Sequence, residues 1–165
     1  MDASTVRSDT AGATVPHVVA ELGPIWLAIP ADEVVELFIP ERILALPLAP
    51  DGIAGLCHLR GRAAAAIDLR QMFPELGPPP ARSPVAVGLE SNGGFYALLV
   101  DDIEGMAGLD HSGAETAPPT LLGRFANGVH PHGSRTLVRL DVACLLTEAE
   151  RISGPALTRG DRQSA

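Results

Sequence analysis

The sequence contains no lysine. All 12 basic residues are arginine, and with 20 acidic residues the formal net charge is −8. An acidic chain without a basic cluster is repelled by phosphate groups, so neither nucleic acid nor direct insertion into an anionic membrane is expected. The absence of lysine also excludes the phosphate-binding loop GxxxxGK[ST], whose lysine contacts the nucleotide phosphates.

Cysteines and long apolar runs are scarce as well. The two cysteines, Cys57 and Cys144, lie far apart and are too few for a disulfide-stapled scaffold. No apolar run approaches the length of a membrane-spanning helix, and the opening stretch MDASTVRSDTAGATVP lacks the layout of a signal peptide. We therefore expect a cytoplasmic protein.

Aromatic residues are few, whereas glycine and proline are abundant. Aliphatic side chains must fill most of the core, because the chain has only six aromatic residues: Trp26, Phe38, Phe73, Phe95, Tyr96 and Phe125. The 17 glycines and 15 prolines are many for a helical bundle. They favour short strands joined by frequent turns.

Catalytic motifs are also missing. Neither GxSxG nor HExxH occurs, and Gly61 is isolated from any glycine-rich phosphate loop. Cys57 and His58 resemble a thiol with its base, but adjacent side chains of a strand point to opposite faces. The pair therefore predicts a buried cysteine beside an exposed histidine, and no enzyme activity is expected.

Two other pairs of polar residues are weak candidates for chemistry. His130 and His132 could chelate a metal, but no third ligand stands at metal-site spacing. Asp101 and Asp102 are typical of a solvated turn or a cap. A small β-barrel enzyme or metal-binding protein using Cys57, His130 and His132 remains a distant alternative. No metal and no cofactor are expected.

Two hairpins and a helix are predicted by local patterns. HVVAEL and IWLAI, joined at Gly23, predict one hairpin, and VAVGLE and FYALLV, joined at 91–94, predict another. Asp141 is a suitable N-cap for a helix in DVACLLTEAE.

The chain also contains an internal repeat. Residues 55–73 align without a gap on residues 128–146, and residues 25–37 align on residues 95–106. Three pairs in the first alignment are identical: Gly55 with Gly128, Arg62 with Arg135, and Asp68 with Asp141. A duplicated unit of mostly short strands predicts two small barrels, one per repeat, that share a core.

These patterns divide the chain into a central domain and two tails. The predicted parts are a disordered N-terminal tail (1–16), a domain (17–151) and a flexible C-terminal tail (152–165). Within the domain we predict a first repeat (17–73), a proline-rich connector (74–83) and a second repeat (84–151).

Five passages resemble the CheW family of bacterial chemosensory adaptors. They are VVEL (34–37), PDGIAGLCHLRG (50–61), AAAAIDLR (63–70), VDDI (100–103) and the closing strand and helix at 137–146. The combination of LRG and DLR at this spacing is fairly specific to this family. The resemblance implies a mainly β fold with two tandem five-stranded SH3-like barrels, short helices and a C-terminal helix.

The resemblance implies scaffolding rather than catalysis. A protein of this family couples the cytoplasmic tip of a chemoreceptor to the regulatory domain of a CheA-type histidine kinase. It is a monomer in isolation and joins cytoplasmic arrays at the inner membrane. The family also allows a module that binds the kinase alone, or one that acts in a pilus, development or gene-regulatory pathway.

The same resemblance assigns candidate binding residues. The receptor helix would dock in an apolar groove between the barrels, near Val34, Glu36, Arg60 and Gly61. His58 and Arg62 are candidates for additional interface contacts. The kinase would contact apolar edges at the barrel ends, whose residues the sequence does not identify.

The chain departs from the family pattern in two places. His58 replaces an asparagine, and Ala65 replaces a proline within the alanine run 63–66. Four alanines bury little area and have low strand propensity, so a thin, poorly specified strand pair and a wider or shallower groove are expected.

Overall fold

The computed structural model describes residues 14–110 and 121–158, which form ten strands and two α-helices. The strands are β1 Val15–Leu22, β2 Ile25–Pro30, β3 Val34–Phe38, β4 Ile53–Leu59, β5 Arg62–Ile67, β6 Val85–Ser91, β7 Gly94–Val100, β8 Asp102–Leu109, β9 Ala126–His132 and β10 Arg135–Leu140. The helices are α1 Leu69–Met72 and α2 Val142–Thr158. Neither helix in these two stretches combines the length and apolar character that crossing a bilayer requires.

The ten strands make two five-stranded sheets. The first sheet has the order β8-β1-β2-β10-β9 and the second has the order β3-β6-β7-β5-β4. Neighbouring strands are antiparallel, except that β10 runs parallel to β2 and β5 runs parallel to β7. The predicted mainly β fold, with two five-stranded SH3-like units and a C-terminal helix, is confirmed.

The duplication is visible in the strand order. The hairpin β1–β2 holds the same positions in the first sheet that β6–β7 holds in the second. The hairpins β9–β10 and β4–β5 correspond in the same way. Each sheet is therefore one copy of the same five-strand pattern.

The sheets nevertheless do not follow the repeat boundaries. The first repeat gives β1 and β2 to the first sheet but β3, β4 and β5 to the second, and the second repeat does the converse. The expectation of one barrel per repeat is therefore wrong. The exchange begins after the short 3₁₀ turn Ala31–Glu33, where β3 pairs with β6 of the other repeat, while β8 takes the equivalent place beside β1.

Most of the buried apolar residues form one core shared by the two sheets. Side chains of the first sheet such as Leu27, and of the second sheet such as Leu98, pack in this cluster together with Leu145 of α2. Each sheet also encloses a smaller cluster of its own. Burial of apolar surface between the sheets therefore makes the two units depend on each other.

The alanine run lies in the middle of the second sheet. Ala64, Ala65 and Ala66 are at most 2% exposed, and their strand β5 pairs with β4 on one side and β7 on the other. Ala64 and Ala66 face the sheet's own cluster, whereas Ala65 faces the shared core opposite Tyr96. The strand is therefore paired on both sides and buried, which corrects the expectation of a poorly specified strand pair.

Aspartates cap both helices, Asp141 as predicted and Asp68 at the aligned position of the other repeat. Asp68 accepts a hydrogen bond from the Arg70 backbone N–H at 2.9 Å, and Asp141 accepts one from the Cys144 N–H at 2.9 Å. Each carboxylate satisfies a donor that the first helical turn leaves free.

The ordered domain extends past both expected boundaries. Val15 and Pro16 already pair with β8, so β1 begins inside the predicted N-terminal tail. The helix α2 continues to Thr158, because Ile152 packs against the shared core and the Ser153 hydroxyl donates to the Ala149 carbonyl at 2.6 Å. The rest of the predicted tails, residues 1–13 and 159–165, lies outside the described residues.

Candidate functional site

Arg60 and Gly61 are the two central residues of the β4–β5 turn, with φ of 52° and 76°. Positive φ at both positions is the type I′ geometry, whose twist matches that of the flanking strands. Glycine adopts this conformation freely, whereas for an L-residue such as Arg60 the conformation costs about 1–2 kcal/mol of free energy. The turn therefore holds an exposed arginine in a conformation that its side chain disfavours.

The Arg60 side chain reaches strand β3 at the opposite edge of the sheet. Its Nη2 donates to the Val35 carbonyl at 2.9 Å, and its Nε lies 3.6 Å from Oε2 of Glu36. Both charged side chains are largely exposed, so the ion pair alone adds at most about 1 kcal/mol. The contact joins the two edge strands β3 and β4, and it brings together two of the residues that the resemblance assigns to receptor binding.

The other two predicted receptor residues lie beside this pair. Val34 is half-buried and packs against the shared core. Gly61 is exposed, and a Cβ added to it would meet no atom within 4 Å. Gly61 therefore serves the backbone conformation and leaves the surface above the turn open.

Arg62 contacts a different segment from Arg60. Its Nη2 donates to the Gly93 carbonyl at 2.8 Å, and its guanidinium lies 4.6 Å from the centre of the Phe95 ring. The turn before β5 is thereby tied to the turn before β7. The two arginines that flank Gly61 thus bind the carbonyls of two different segments, β3 and the β6–β7 turn.

His58 is exposed, whereas its neighbour Cys57 is buried at 3% exposure. This alternation along β4 confirms that the two side chains cannot form a catalytic pair. Burial raises the pKa of the Cys57 thiol, which makes the reactive thiolate less accessible. Among the described residues, His130 is buried, His132 is exposed, and no cluster of three metal-ligating side chains exists.

An open groove of about 620 Å³ adjoins the Arg60–Glu36 pair. Val35, whose carbonyl Arg60 holds, is also part of the groove wall. The other walls come from the 3₁₀ turn before β3, the end of β6 with its turn, and the first two turns of α2. Local sequence patterns do not predict this groove, because three segments that are distant in sequence form it.

The internal symmetry places a similar arrangement at the end of the first sheet. Arg135, the counterpart of Arg62, lies 4.0 Å above the Trp26 ring and forms an ion pair with Glu104. A smaller cavity of about 210 Å³ opens beside it. The identity of Arg62 and Arg135 in the repeat alignment was the only sequence signal for this second arrangement.

Four exposed apolar side chains follow one another in the chain after Glu36. Leu37 is 41% exposed, Ile39 64%, Leu44 58% and Leu48 102%. Leu48 also has φ of 59°, which costs an L-residue about 1–2 kcal/mol. We call Leu37, Ile39, Leu44 and Leu48 the apolar strip. All four lie on β3 or on the segment that follows it, and each offers apolar surface that a partner could cover.

The fold and the site define a β-rich protein with two SH3-like units and a candidate site made for surface contact. The chain matches the family model described as CheW-like domain over residues 16–150, and it belongs to that family. It is 27% identical over 113 residues to the chemotaxis protein CheW of Klebsiella aerogenes, covering 67% of this chain and 68% of that one. The crystal structure of the scaffolding protein TtCheW from Thermoanaerobacter tengcongensis has the same fold, with a TM-score of 0.71 at 23% identity, over 78% of this chain and 85% of the other.

Proposed function

We propose that this protein is a non-enzymatic adaptor that couples chemoreceptors of the methyl-accepting type to a CheA-type histidine kinase. Its membership of the CheW-like family supports this role, and so does the name of the Klebsiella relative as a chemotaxis protein. We further propose that it acts in the cytoplasm, is a monomer in isolation, and enters receptor arrays at the inner membrane through its partners.

The meeting of Arg60 with Glu36 is the observation that carries the receptor half of this proposal. Residues from two separate passages of the family pattern come within 3.6 Å of each other at the edge of an open groove. The surrounding surface is suited to a helix, since Val34 and Val35 offer apolar contact beside the charged pair. Arg60, Glu36, Val34 and Gly61 are therefore the proposed receptor contacts, with His58 and Arg62 at their margin.

The apolar strip is the proposed contact for the regulatory domain of the kinase. The resemblance implies that the kinase binds apolar edges of the barrels, and the strip follows the edge strand β3. Leu48 is fully exposed in a turn with positive φ, so a partner that covers it would remove its apolar surface from water. A partner that covers the strip gains apolar burial without rearranging the core.

Binding of the full chain to a receptor-tip fragment from the same genome tests the receptor contact. Arg60→Glu is expected to weaken this binding at least about tenfold, because it places two carboxylates together where an ion pair stood. Arg82→Glu is the matched control, since Arg82 is also exposed and paired with an aspartate. Equal affinities of both variants would remove Arg60 from the receptor site.

Titration with the isolated regulatory domain of the kinase tests the second contact. Leu48→Ser is expected to weaken kinase binding several-fold while receptor binding is unchanged, because Leu48 contributes nothing to the folded core. Met106→Ser, on the first sheet and 60% exposed, is the control. Kinase binding without any receptor binding would favour the alternative of a module that engages the kinase alone.

A further inference from the structure

The groove beside Arg60 and Glu36 combines an apolar floor with an acidic rim. Val142 and Leu146 of α2 form part of the floor, while Asp32, Glu33 and Glu90 are exposed around it. Its volume of about 620 Å³ lies in the usual range of about 300–1,000 Å³ for protein binding pockets. The groove can therefore take several side chains of a docked segment.

The negative charge of the rim is not compensated by the described part of the protein. Within residues 14–110 and 121–158, none of the ion pairs involves Asp32, Glu33 or Glu90. Arg60, which reaches towards the groove, is already engaged by Glu36. The amino end of α2 carries a partial positive charge, but the Asp141 cap already uses it.

Glu33 is affected by burial first and by the neighbouring negative charge second. Partial burial, followed by repulsion from Asp32 and Asp141, raises the pKa of this carboxyl. The rim thus holds carboxylates in an arrangement that is unfavourable for the free protein. A positively charged partner would relieve this repulsion.

We propose that the groove selects an amphipathic helix whose apolar stripe is flanked by lysine or arginine. The floor would take the apolar stripe, and the rim would pair with the cationic side chains on its two sides. A second copy of this chain, which carries a formal net charge of −8, would be repelled. The assignment of the helix to a receptor rests on the proposed function; the charge preference does not.

Two helical peptides of roughly 18 residues, about five turns, test the selection. They share the same leucine stripe, and one carries lysine where the other carries glutamate. Fluorescence anisotropy with the full-length chain is expected to show salt-dependent binding of the leucine–lysine peptide and none of the leucine–glutamate peptide. Equal binding of the two peptides, or no binding of the lysine peptide, would overturn the proposal.

A matched pair of variants separates the groove from the general acidity of the chain. The groove variant carries Asp32→Asn, Glu33→Gln and Glu90→Gln. The control variant carries Asp51→Asn, Glu41→Gln and Glu75→Gln, which removes the same charge at exposed positions outside the groove. The groove variant is expected to bind the lysine peptide about tenfold more weakly, and the control less than about twofold. A similar loss in both variants would mean that the peptide senses only net charge.

The receptor-tip fragment distinguishes this inference from the proposed function. Receptor binding that is weakened by the groove variant supports both. Receptor binding that is unchanged in the groove variant leaves the adaptor function standing and overturns the charge preference for that partner. No receptor binding, with groove-dependent binding of the lysine peptide, overturns the receptor role and retains a groove for a basic helix.

Discussion

Arg70 donates to both carboxylate oxygens of Asp101, at 2.7 and 2.8 Å. Both side chains are about nine-tenths buried, and the Gly23 N–H donates to the same carboxylate at 2.8 Å. Arg70 lies in α1, which follows strand β5 of the second sheet, whereas Gly23 lies in the turn of the hairpin β1–β2 of the first sheet. The network therefore ties the two sheets together and fixes how they face each other.

Removing the Asp101 carboxylate should destabilise the protein strongly. Asp101→Ala leaves the Arg70 guanidinium buried without its partner, and we expect the free energy of unfolding to fall by about 3–5 kcal/mol. The adjacent Asp102→Ala is the control, since its pair with Arg82 is half-exposed and should cost less than about 1 kcal/mol. Denaturant unfolding of both variants measures the difference, and similar losses would contradict this role of Asp101.

Asp101 should also make the stability depend on acid pH. Burial of the carboxyl favours its neutral form, but hydrogen bonds from Arg70 and Gly23 outweigh burial and hold the pKa below its usual value. Because the Asp101 carboxyl has a lower pKa in the folded protein than in the unfolded chain, where it is about 3.9, it stabilises the fold at pH values above that unfolded pKa. This stabilisation is lost as the pH falls through the pKa of the folded protein. Unfolding of the wild type from neutral pH down to about pH 2 should show this loss. Asp101→Asn, already weaker at neutral pH, should show a smaller decline, and an equal decline would assign it to other carboxyls.

Tyr96 is the only tyrosine of the chain and its hydroxyl is buried in the shared core. No partner within hydrogen-bonding distance of this hydroxyl exists among the described residues. Burial, together with the Glu150 carboxylate, raises the pKa of Tyr96 to about 12. We expect the tyrosinate absorbance to stay absent below about pH 11 while the fold is intact, but to appear near pH 10 in denaturant. Ionisation near pH 10 in the folded protein would show that the hydroxyl reaches water.

The alanine run should tolerate enlargement poorly at its centre. Ala65 faces the shared core between its strand partners Leu56 and Tyr96, so Ala65→Leu is expected to cost about 1–3 kcal/mol through overpacking. Ala63→Leu at the half-buried start of β5 should cost less than about 1 kcal/mol. Thermal unfolding of the two variants compares them, and equal midpoints would imply spare space around Ala65.

Features that depend on neighbours in the chain were predictable from the sequence. The alternation of Cys57 and His58, the two aspartate caps and the hairpin turn at Asn92 all follow from local geometry. The resemblance added the association of Glu36 with Arg60, which local patterns cannot supply because 24 positions separate them.

Features that depend on distant pairing were not predictable in the same way. The exchange of strands begins where β3 pairs with β6. Local sequence patterns do not predict which strand becomes the partner of β3. The acidic rim joins Asp32 and Glu33 to Glu90 only after both sheets and α2 have assembled. The burial of Ala65 likewise depends on Tyr96 in a strand from the other repeat.

The strand exchange has a consequence for how this chain can be divided. A gene cut within the connector 74–83 would encode two fragments, each carrying a hairpin for one sheet and three strands for the other. Neither fragment alone carries all the strands of either sheet, so each would need the other to rebuild the two sheets of this structure. Duplication followed by exchange thus turns two similar halves into obligate complements within a single polypeptide.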